Sequence, residues 1–244
     1  MKTEVKRRNG WKTMGIISIV VAILMTSACS VLFFHGGYHV RLLQRMGLRE
    51  PEAKVNYAVI AWENCLVQMN YDADIAFLGD SITRGGDFGQ YFSDYKIANL
   101  GYSGDSLEGM YDRTGMVTAV KPEKIFLMGG INGLKDGNVS QSYASYERLV
   151  HCLQEELPEA QIYIQSVLPI ARERERTVCE NTTIVELNQK LKQLAEKTGV
   201  VYIDLHELYV LNGELNPNYG KDGIHLKKES YILWYEAIEQ YAEN

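Results

Sequence analysis

The stretch IAFLGDSITRGG, from Ile75 to Gly86, decides the fold class and raises the question of function. Four apolar residues lead directly into Gly79-Asp80-Ser81, and a glycine-rich turn follows soon afterwards. This pattern indicates a buried strand that ends at a hydroxyl beside the start of a helix. Ser81 is therefore either a helix N-cap, as serine often is, or a nucleophile at the carboxyl edge of a parallel sheet.

Short apolar runs and helical patterns alternate along the chain after residue 70. The runs that indicate strands are IAFLG (75–79), KIANLG (96–101), KIFLMGG (124–130), IYIQSVLP (162–169) and VVYIDL (200–205). Helical patterns lie at about 107–119, 141–157, 183–198 and 227–242. Strands that are apolar on both faces and separated by helices form covered parallel sheets. The order predicts an α/β fold, a three-layer α/β/α sandwich with a central five-stranded parallel sheet.

Polar residues follow the predicted strands, at the sheet edge where ligands of such folds gather. Ser81 follows the first strand, Gly104 the second and Asn132 the third, while Asp222 and His225 precede the last helix. Acyl transfer needs a hydroxyl nucleophile, a base, a group that orients the base, and donors for the oxyanion. These residue types offer all four.

At these residues the chain resembles the SGNH hydrolases, the GDSL-type esterase and lipase superfamily, over roughly residues 70–244. Four blocks carry the resemblance in the family's order: Gly-Asp-Ser at 79–81, the glycine of YSGD at 102–105, Gly-x-Asn at 130–132 and Asp-x-x-His at 222–225. The resemblance implies the flavodoxin-like SGNH fold and hydrolysis of an ester through an acyl-serine intermediate. It implies no metal and no cofactor.

The resemblance also implies a role for each matching residue. Ser81 is the nucleophile, His225 its base, and Asp222 the acid that holds the imidazole. The backbone N–H groups of Ser81 and Gly104 and the side-chain amide of Asn132 form the oxyanion hole. One position departs from the family: Gly133 stands where the third block commonly has aspartate, which is expected to loosen the loop that carries Asn132.

Other polar residues compete for a place in the site. His206 follows the fifth predicted strand beside Asp204; we interpret Asp204 as a turn or capping acid and His206 as peripheral. Asp80 is expected to fix the turn at Ser81 through a bond to the backbone. His151 falls in a helical pattern, where a surface or packed position is expected.

The segment ARERER at 171–176 alternates charges and either steers an anionic substrate or forms a solvated, self-paired loop, the interpretation we favour. Tyr102 and Tyr219 lie close to the motifs, and packing is the expected role of both. Cys65, Cys152 and Cys179 form no CxxC pair, so at most one disulfide is possible, and buried free thiols are expected.

The charge is distributed unevenly along the chain. The net charge is −6, but residues 1–50 carry eight lysines and arginines against two glutamates, so the remainder is strongly acidic. An acidic body argues against nucleic acid as a partner, because phosphate binding needs a basic face.

Basic residues precede an uncharged, largely apolar run from Met14 to Phe34. A helix of this length spans about 30 Å, which is enough to cross a bilayer. The flanking charge predicts a cytoplasmic amino terminus and an exported body. A cleaved signal peptide, with TSA before Cys29, and a lipoprotein modified at Cys29 are the alternatives.

Three regions follow from these patterns. Residues 1–35 form a basic stub and anchor, 36–70 a juxtamembrane segment with an amphipathic helix from Glu50 to about Asn70, and 71–244 the esterase domain. We expect a membrane-anchored, extracytoplasmic serine esterase acting on small, acetyl-type esters of a carbohydrate or cell-envelope glycan. An O-acetyltransferase with the same triad and a non-catalytic glycan-binding or scaffold protein are the alternatives.

The basic residues before the apolar run at 14–34 lead to a testable prediction of membrane topology. Protease added outside intact cells is expected to remove residues 71–244 while the amino terminus stays protected, because positive charge is retained on the cytoplasmic side. Immunoblotting against tags at each end measures the outcome. Recovery of the whole chain in the soluble fraction after cell breakage would contradict the prediction.

Overall fold

The computed structural model describes residues 69–134 and 137–243, together with residues 62, 65 and 66. The predicted anchor at 14–34, Cys29 and most of the predicted helix at 50–70 lie outside the described residues. Among the residues that are described, no helix has the length and apolar character needed to cross a bilayer.

A five-stranded parallel sheet forms the centre of the domain, as the sequence predicts. Its strands lie in the order β2-β1-β3-β4-β5. Their bounds are β1 Ile75–Gly79, β2 Ile97–Gly101, β3 Lys124–Met128, β4 Gln161–Gln165 and β5 Val201–Ile203. Strands β3, β4 and β5 are two to four residues shorter at their carboxyl ends than predicted. The apolar residues that follow them are buried but do not pair with a neighbouring strand, so the sequence pattern extends beyond the strand.

Helices fill the connections between the strands. They are α1 Ser81–Arg84, α2 Phe88–Tyr91, α3 Leu107–Asp112, α4 Thr114–Val120, α5 Val139–Glu156, α6 Asn181–Thr198, α7 His206–Tyr209 and α8 Tyr231–Glu243. Short 3₁₀ turns cover Ile131–Gly133, Arg172–Arg174 and Lys228–Ser230. The long connection after α7 also forms a two-stranded antiparallel hairpin, β6 Val210–Leu211 and β7 Glu214–Leu215, which the sequence patterns did not predict.

The prediction of one helix over 107–119 is wrong. The structure has two helices, α3 and α4, which meet at Arg113. The backbone of Arg113 has φ −118° and ψ 23°, outside the helical region, while its side chain points into the protein and is 2% exposed. The break therefore places a charged side chain beneath the sheet edge, within the stretch for which one continuous helix was predicted.

The two faces of the sheet carry separate apolar cores. Alternate residues of β1 face opposite ways: Ala76 and Leu78 join one core, and Ile75 and Phe77 join the other. Helices α3 to α6 cover the first core, and α1, α2, α7 and α8 cover the second. This arrangement gives the three layers that the alternating pattern predicts.

Stacked aromatic rings fill the second core. Phe77 stacks on Phe88 with ring centroids 3.8 Å apart and on Phe126 at 5.0 Å, and Trp234 meets Phe88 edge-on at 5.4 Å. Each such pair contributes about 0.5–1.5 kcal/mol beyond its burial. The packing ties α2 and α8 to the strand that ends just before Ser81.

The three cysteines among the described residues are free. Cys179 is buried, Cys152 is partly buried and Cys65 is exposed. The expectation of buried thiols therefore holds for Cys179 and is wrong for Cys65, whose exposed thiol lies 3.6 Å from the sulfur of Met69.

Candidate active site

Strand β1 ends in a turn that Asp80 fixes. The Asp80 carboxylate accepts a hydrogen bond of 2.9 Å from the backbone N–H of Ile82, so Asp80 is the N-cap of α1 and Ser81 is the first helical residue. This confirms the expected side-chain-to-backbone bond of Asp80. It also shows that the Ser81 hydroxyl is not used as the cap.

The Ser81 hydroxyl instead meets an imidazole. Ser81 Oγ lies 2.9 Å from His225 Nε2, and His225 Nδ1 lies 2.8 Å from Asp222 Oδ2. A carboxylate accepts from a protonated Nδ1, which leaves Nε2 as the acceptor for the serine hydroxyl. The structure therefore brings together the three residues predicted as nucleophile, base and orienting acid, although Ser81 and His225 are 144 positions apart.

Asp222 holds its own segment as well as the imidazole. Its Oδ1 accepts from the backbone N–H groups of Ile224, at 3.1 Å, and His225, at 2.9 Å. Partial burial alone would raise the pKa of Asp222, but the hydrogen bonds from the backbone and the imidazole of His225 lower it to about 2. Asp222 is thus an anion at any pH near neutrality.

The turn after Asp222 is braced from a neighbouring loop. Gly223 has φ +84°, a conformation that disfavours a side chain. Its carbonyl accepts from the N–H of Ala171, and the Asp222 carbonyl accepts from Arg174 Nε at 2.8 Å. The interpretation of 171–176 as a self-paired loop is wrong, since Arg174 supports the Asp222 turn and Arg172 lies 3.6 Å from Glu214 of β7.

The predicted oxyanion donors lie at the ends of three adjacent strands. Ser81 follows β1, Gly104 follows β2 and Asn132 follows β3, and β1 lies between the other two. Gly104 is exposed with φ +76°, so glycine is required there by the backbone conformation. A Cβ at Gly104 would meet no protein atom within 4 Å.

Asn132 is held in place despite Gly133. One N–H of its amide donates to the carbonyl of Asp105 over 2.8 Å, which leaves the second N–H for another acceptor. The backbone N–H of Gly133 donates to the carbonyl of Gly130, and this hydrogen bond forms the 3₁₀ turn at Ile131–Gly133. The expected loosening of this loop is therefore countered by the bond to Asp105.

Arg113 is the residue that sequence analysis missed. Its guanidinium donates to Asp105 Oδ2 over 2.7 Å, to the Leu100 carbonyl over 2.7 Å and to the Gly79 carbonyl over 2.9 Å. These acceptors belong to the ends of β1 and β2 and to the loop that binds Asn132. The available signal was a lone arginine on the apolar face of the pattern at 107–119, since an arginine is rarely buried unless it is paired.

Asp80 is buried directly beside Ser81. It is 1% exposed, and this burial raises its pKa to about 6 in spite of its hydrogen bond with Ile82 and the nearby charges of His225 and Arg113. The two carboxylates next to the Ser81–His225 pair thus differ: the pKa of Asp80 is raised, while that of Asp222 is lowered.

The rival pair is not at this site. His206 is peripheral to the Ser81–His225 pair, as expected, but it is buried at 7% exposure, and this burial lowers the pKa of its imidazole. Asp204 was expected to be a turn or capping acid. Its side chain does not cap α7 and instead accepts a hydrogen bond from Ser166 Oγ over 3.1 Å.

The remaining polar and aromatic residues near the motifs lie where they were expected. His151 is exposed on α5, and Tyr219 packs edge-on against Tyr209. The backbone N–H of Tyr102 donates to the Gly79 carbonyl.

Within the described ranges, no group of three or more His, Cys, Asp or Glu side chains is arranged to hold a metal ion. The expectation that the chemistry needs no metal or cofactor stays a prediction. Hydroxyl, imidazole and carboxylate in this geometry are the groups that nucleophilic acyl transfer uses.

Comparison with known proteins places residues 77–232, well over half of the chain, on the model of the GDSL-like Lipase/Acylhydrolase family. A Streptococcus pneumoniae structure provisionally named a platelet activating factor is 23% identical with a TM-score of 0.68, covering 84% of this chain and 98% of its own. A GDSL-like lipase from Bacteroides thetaiotaomicron is 21% identical with a TM-score of 0.65, covering 77% and 97%.

A variant of an acetyl-xylooligosaccharide esterase from Geobacillus is 18% identical with a TM-score of 0.57, covering 71% of this chain and 95% of its own. These likenesses show the fold that the chain shares with these structures. The comparison with curated protein sequences gave no match.

Arg113→Met is expected to lower the free energy of unfolding by about 3–5 kcal/mol, because it removes the cation that pairs with the nearly buried Asp105 carboxylate and takes one hydrogen-bond donor from each of the Leu100 and Gly79 carbonyls. Urea unfolding of the full-length protein measures the change. Lys197→Met is the control and is expected to change the free energy of unfolding little, since its ion pair with Glu147 is exposed on the lysine side and screened by solvent. Equal losses in both variants would contradict the structural role of Arg113.

Asp80→Asn is expected to remove a pH dependence of stability. The folded state binds the Asp80 proton up to a pKa of about 6, above the ordinary value of 3.8, so this group's contribution is present at low pH and is lost as pH rises through that window. Asparagine keeps the cap. Relative to Asp80→Asn, the wild type is expected to lose up to roughly 3 kcal/mol between about pH 4 and pH 7. Parallel urea curves with no difference across this range would contradict the assignment.

Proposed function

The chain belongs to the GDSL-like lipase/acylhydrolase family, whose members hydrolyse esters, and from this premise we propose that it is a membrane-anchored, extracytoplasmic serine esterase. It removes small, acetyl-type acyl groups from a carbohydrate or cell-envelope glycan. The observation that carries the proposal is the continuous hydrogen-bonded relay from Ser81 through His225 to Asp222 at the edge of the sheet.

The first half of the reaction forms an acyl-serine. Ser81 Oγ attacks the carbonyl carbon of the ester while His225 Nε2 takes the hydroxyl proton. The Asp222 carboxylate, ionised because its pKa is held low, stabilises the imidazolium that results. When the tetrahedral intermediate collapses, the bond to the alcohol oxygen breaks and His225 returns the proton to that oxygen.

Charge on the carbonyl oxygen needs donors fixed before the reaction. The backbone N–H groups of Ser81 and Gly104 and the free N–H of Asn132 supply them from three adjacent strand ends. Because Asp105 orients the Asn132 amide, this donor does not have to be organised during the reaction. His225 then takes a proton from a water molecule as it attacks the acyl-serine. The bond from the acyl carbon to Ser81 Oγ breaks, His225 returns the proton to Oγ, and the acid leaves.

The substrate class and location rest on three further supports. The relay is open to solvent, with the His225 side chain 38% exposed and that of Asp222 43% exposed, which suits a substrate group carried on a larger molecule. One protein of the same fold is an acetyl-xylooligosaccharide esterase. The basic flank and apolar run at the amino terminus support an anchored, exported domain.

A fluorophosphonate probe is expected to label wild-type protein at Ser81 and not Ser81→Ala, because only an activated serine reacts with it. Ser81→Ala and His225→Ala are each expected to lower kcat on an aryl acetate by about 10⁴-fold or more. Mass spectrometry of the labelled peptide and initial rates measure these effects.

His206→Ala is the matched control and is expected to keep most of the activity, since His206 lies outside the relay. Loss of activity in His206→Ala but not in His225→Ala would move the base to His206. Wild-type protein that neither reacts with the probe nor hydrolyses esters would favour the non-catalytic glycan-binding alternative. Acyl transfer to a sugar that outpaces hydrolysis would favour the O-acetyltransferase.

A further inference from the structure

A cleft of about 670 Å³ opens beside the Ser81–His225 pair. Its walls come from α1, from Ser103 and from the segment 221–231. We propose that this cleft binds the alcohol part of the substrate and that this part carries an anionic group, a carboxylate or a phosphate. The inference rests on the proposed esterase function and adds the charge of the substrate to it.

The position of the cleft shows which part of the substrate enters it. Ser81 and His225 line it, whereas Gly104 and Asn132, on the oxyanion side, do not. His225 delivers its proton to the leaving alcohol, so the alcohol must lie on the His225 side of Ser81. The cleft is therefore the site of the leaving group, and the carbonyl oxygen lies toward Gly104 and Asn132.

Four cationic side chains line this cleft against two carboxylates. The cations are Arg84, Lys221, Lys227 and Lys228, and the carboxylates are Asp222 and Glu229. Asp222 already accepts from the imidazole, and Lys228 forms an ion pair with Asp87 just outside the cleft. Even after Glu229, Asp222 and the Asp87 partner of Lys228 are counted, the cations outnumber the carboxylates in the wall that faces the leaving group.

Three of these cations have no carboxylate within 4 Å among the residues that the structure describes. Arg84 donates to Ser103 Oγ over 3.2 Å. Lys227 Nζ donates to the carbonyls of Pro217, at 3.1 Å, and Asn218, at 2.9 Å. Neutral acceptors orient these two side chains without cancelling their charge, and Lys221 adds a third charge beside them.

The wall of the cleft that carries Arg84, Lys221 and Lys227 is positively charged, whereas the rest of the domain is acidic. The chain carries 31 acidic against 25 basic residues, and eight of the basic ones lie in the first 50 positions. A local excess of cations next to a nucleophile, within an acidic body, attracts an anionic substrate and adds little for a neutral one. Oriented cations also favour the register that places the ester carbonyl over Ser81.

The test compares two acetates that differ in charge on the alcohol part: 4-acetoxybenzoate, which is anionic, and 4-acetoxybenzamide, which is neutral. The ratio of their kcat/KM values is measured on the full-length protein. Arg84→Gln and Lys221→Gln are each expected to lower the anion-to-amide ratio about threefold, and the double variant about tenfold, mainly through KM for the anion. Among the residues that the structure describes, the Lys221 side chain forms no hydrogen bond or ion pair that the substitution would remove.

Lys192→Gln on α6 is the control, because it removes the same charge away from the cleft. Its ratio is expected to match that of the wild type. Hydrolysis of both acetates with a ratio that no cleft variant moves would overturn the anionic-substrate proposal and leave the esterase standing. Failure of the wild type to hydrolyse either acetate would overturn the esterase proposal, and this one with it.

Discussion

The buried guanidinium of Arg113 is the contact on which the proposed oxyanion side of the site depends. It bonds to the Gly79 and Leu100 carbonyls and to the carboxylate of Asp105, whose own carbonyl holds Asn132. A charge taken out of water is tolerated only when its donors are satisfied, so the ends of β1 and β2 and the loop after β2 must keep one arrangement. The break between α3 and α4 lies at this same residue.

The base side is built differently. His225 lies on a long connection near the surface, and its position depends on short local bonds: the Asp222 carboxylate caps the turn, and Arg174 and Ala171 brace the turn from the loop after β4. Ser81 is thus fixed by the buried sheet, and His225 by a loop clamped at several points. Loops held on a rigid scaffold commonly carry catalytic residues.

Two carboxylates near the Ser81–His225 pair have opposite environments. Asp80 lies beneath Ser81, out of water, and its pKa is raised to about 6; Asp222 faces solvent, accepts three hydrogen bonds, and its pKa falls to about 2. Environment rather than residue type therefore decides which acid is a permanent anion. In the proposed mechanism that anion stands where the imidazolium forms, while Asp80 serves the turn.

The sequence by itself determined the sheet, its five strands and the residues at its edge, because short runs that are apolar on both faces, the helical patterns between them and the polar residues that follow them are all local signals. It also determined that Asp80 would fix the Ser81 turn. Only the tertiary structure decided the break at Arg113, the burial of His206 and the bracing of Asp222 by Arg174. These depend on hydrogen bonds between residues far apart in the chain: 34 positions separate Gly79 from Arg113, and 48 separate Arg174 from Asp222. No local periodicity encodes such partners, since they are set by which strand ends the parallel sheet brings to one edge.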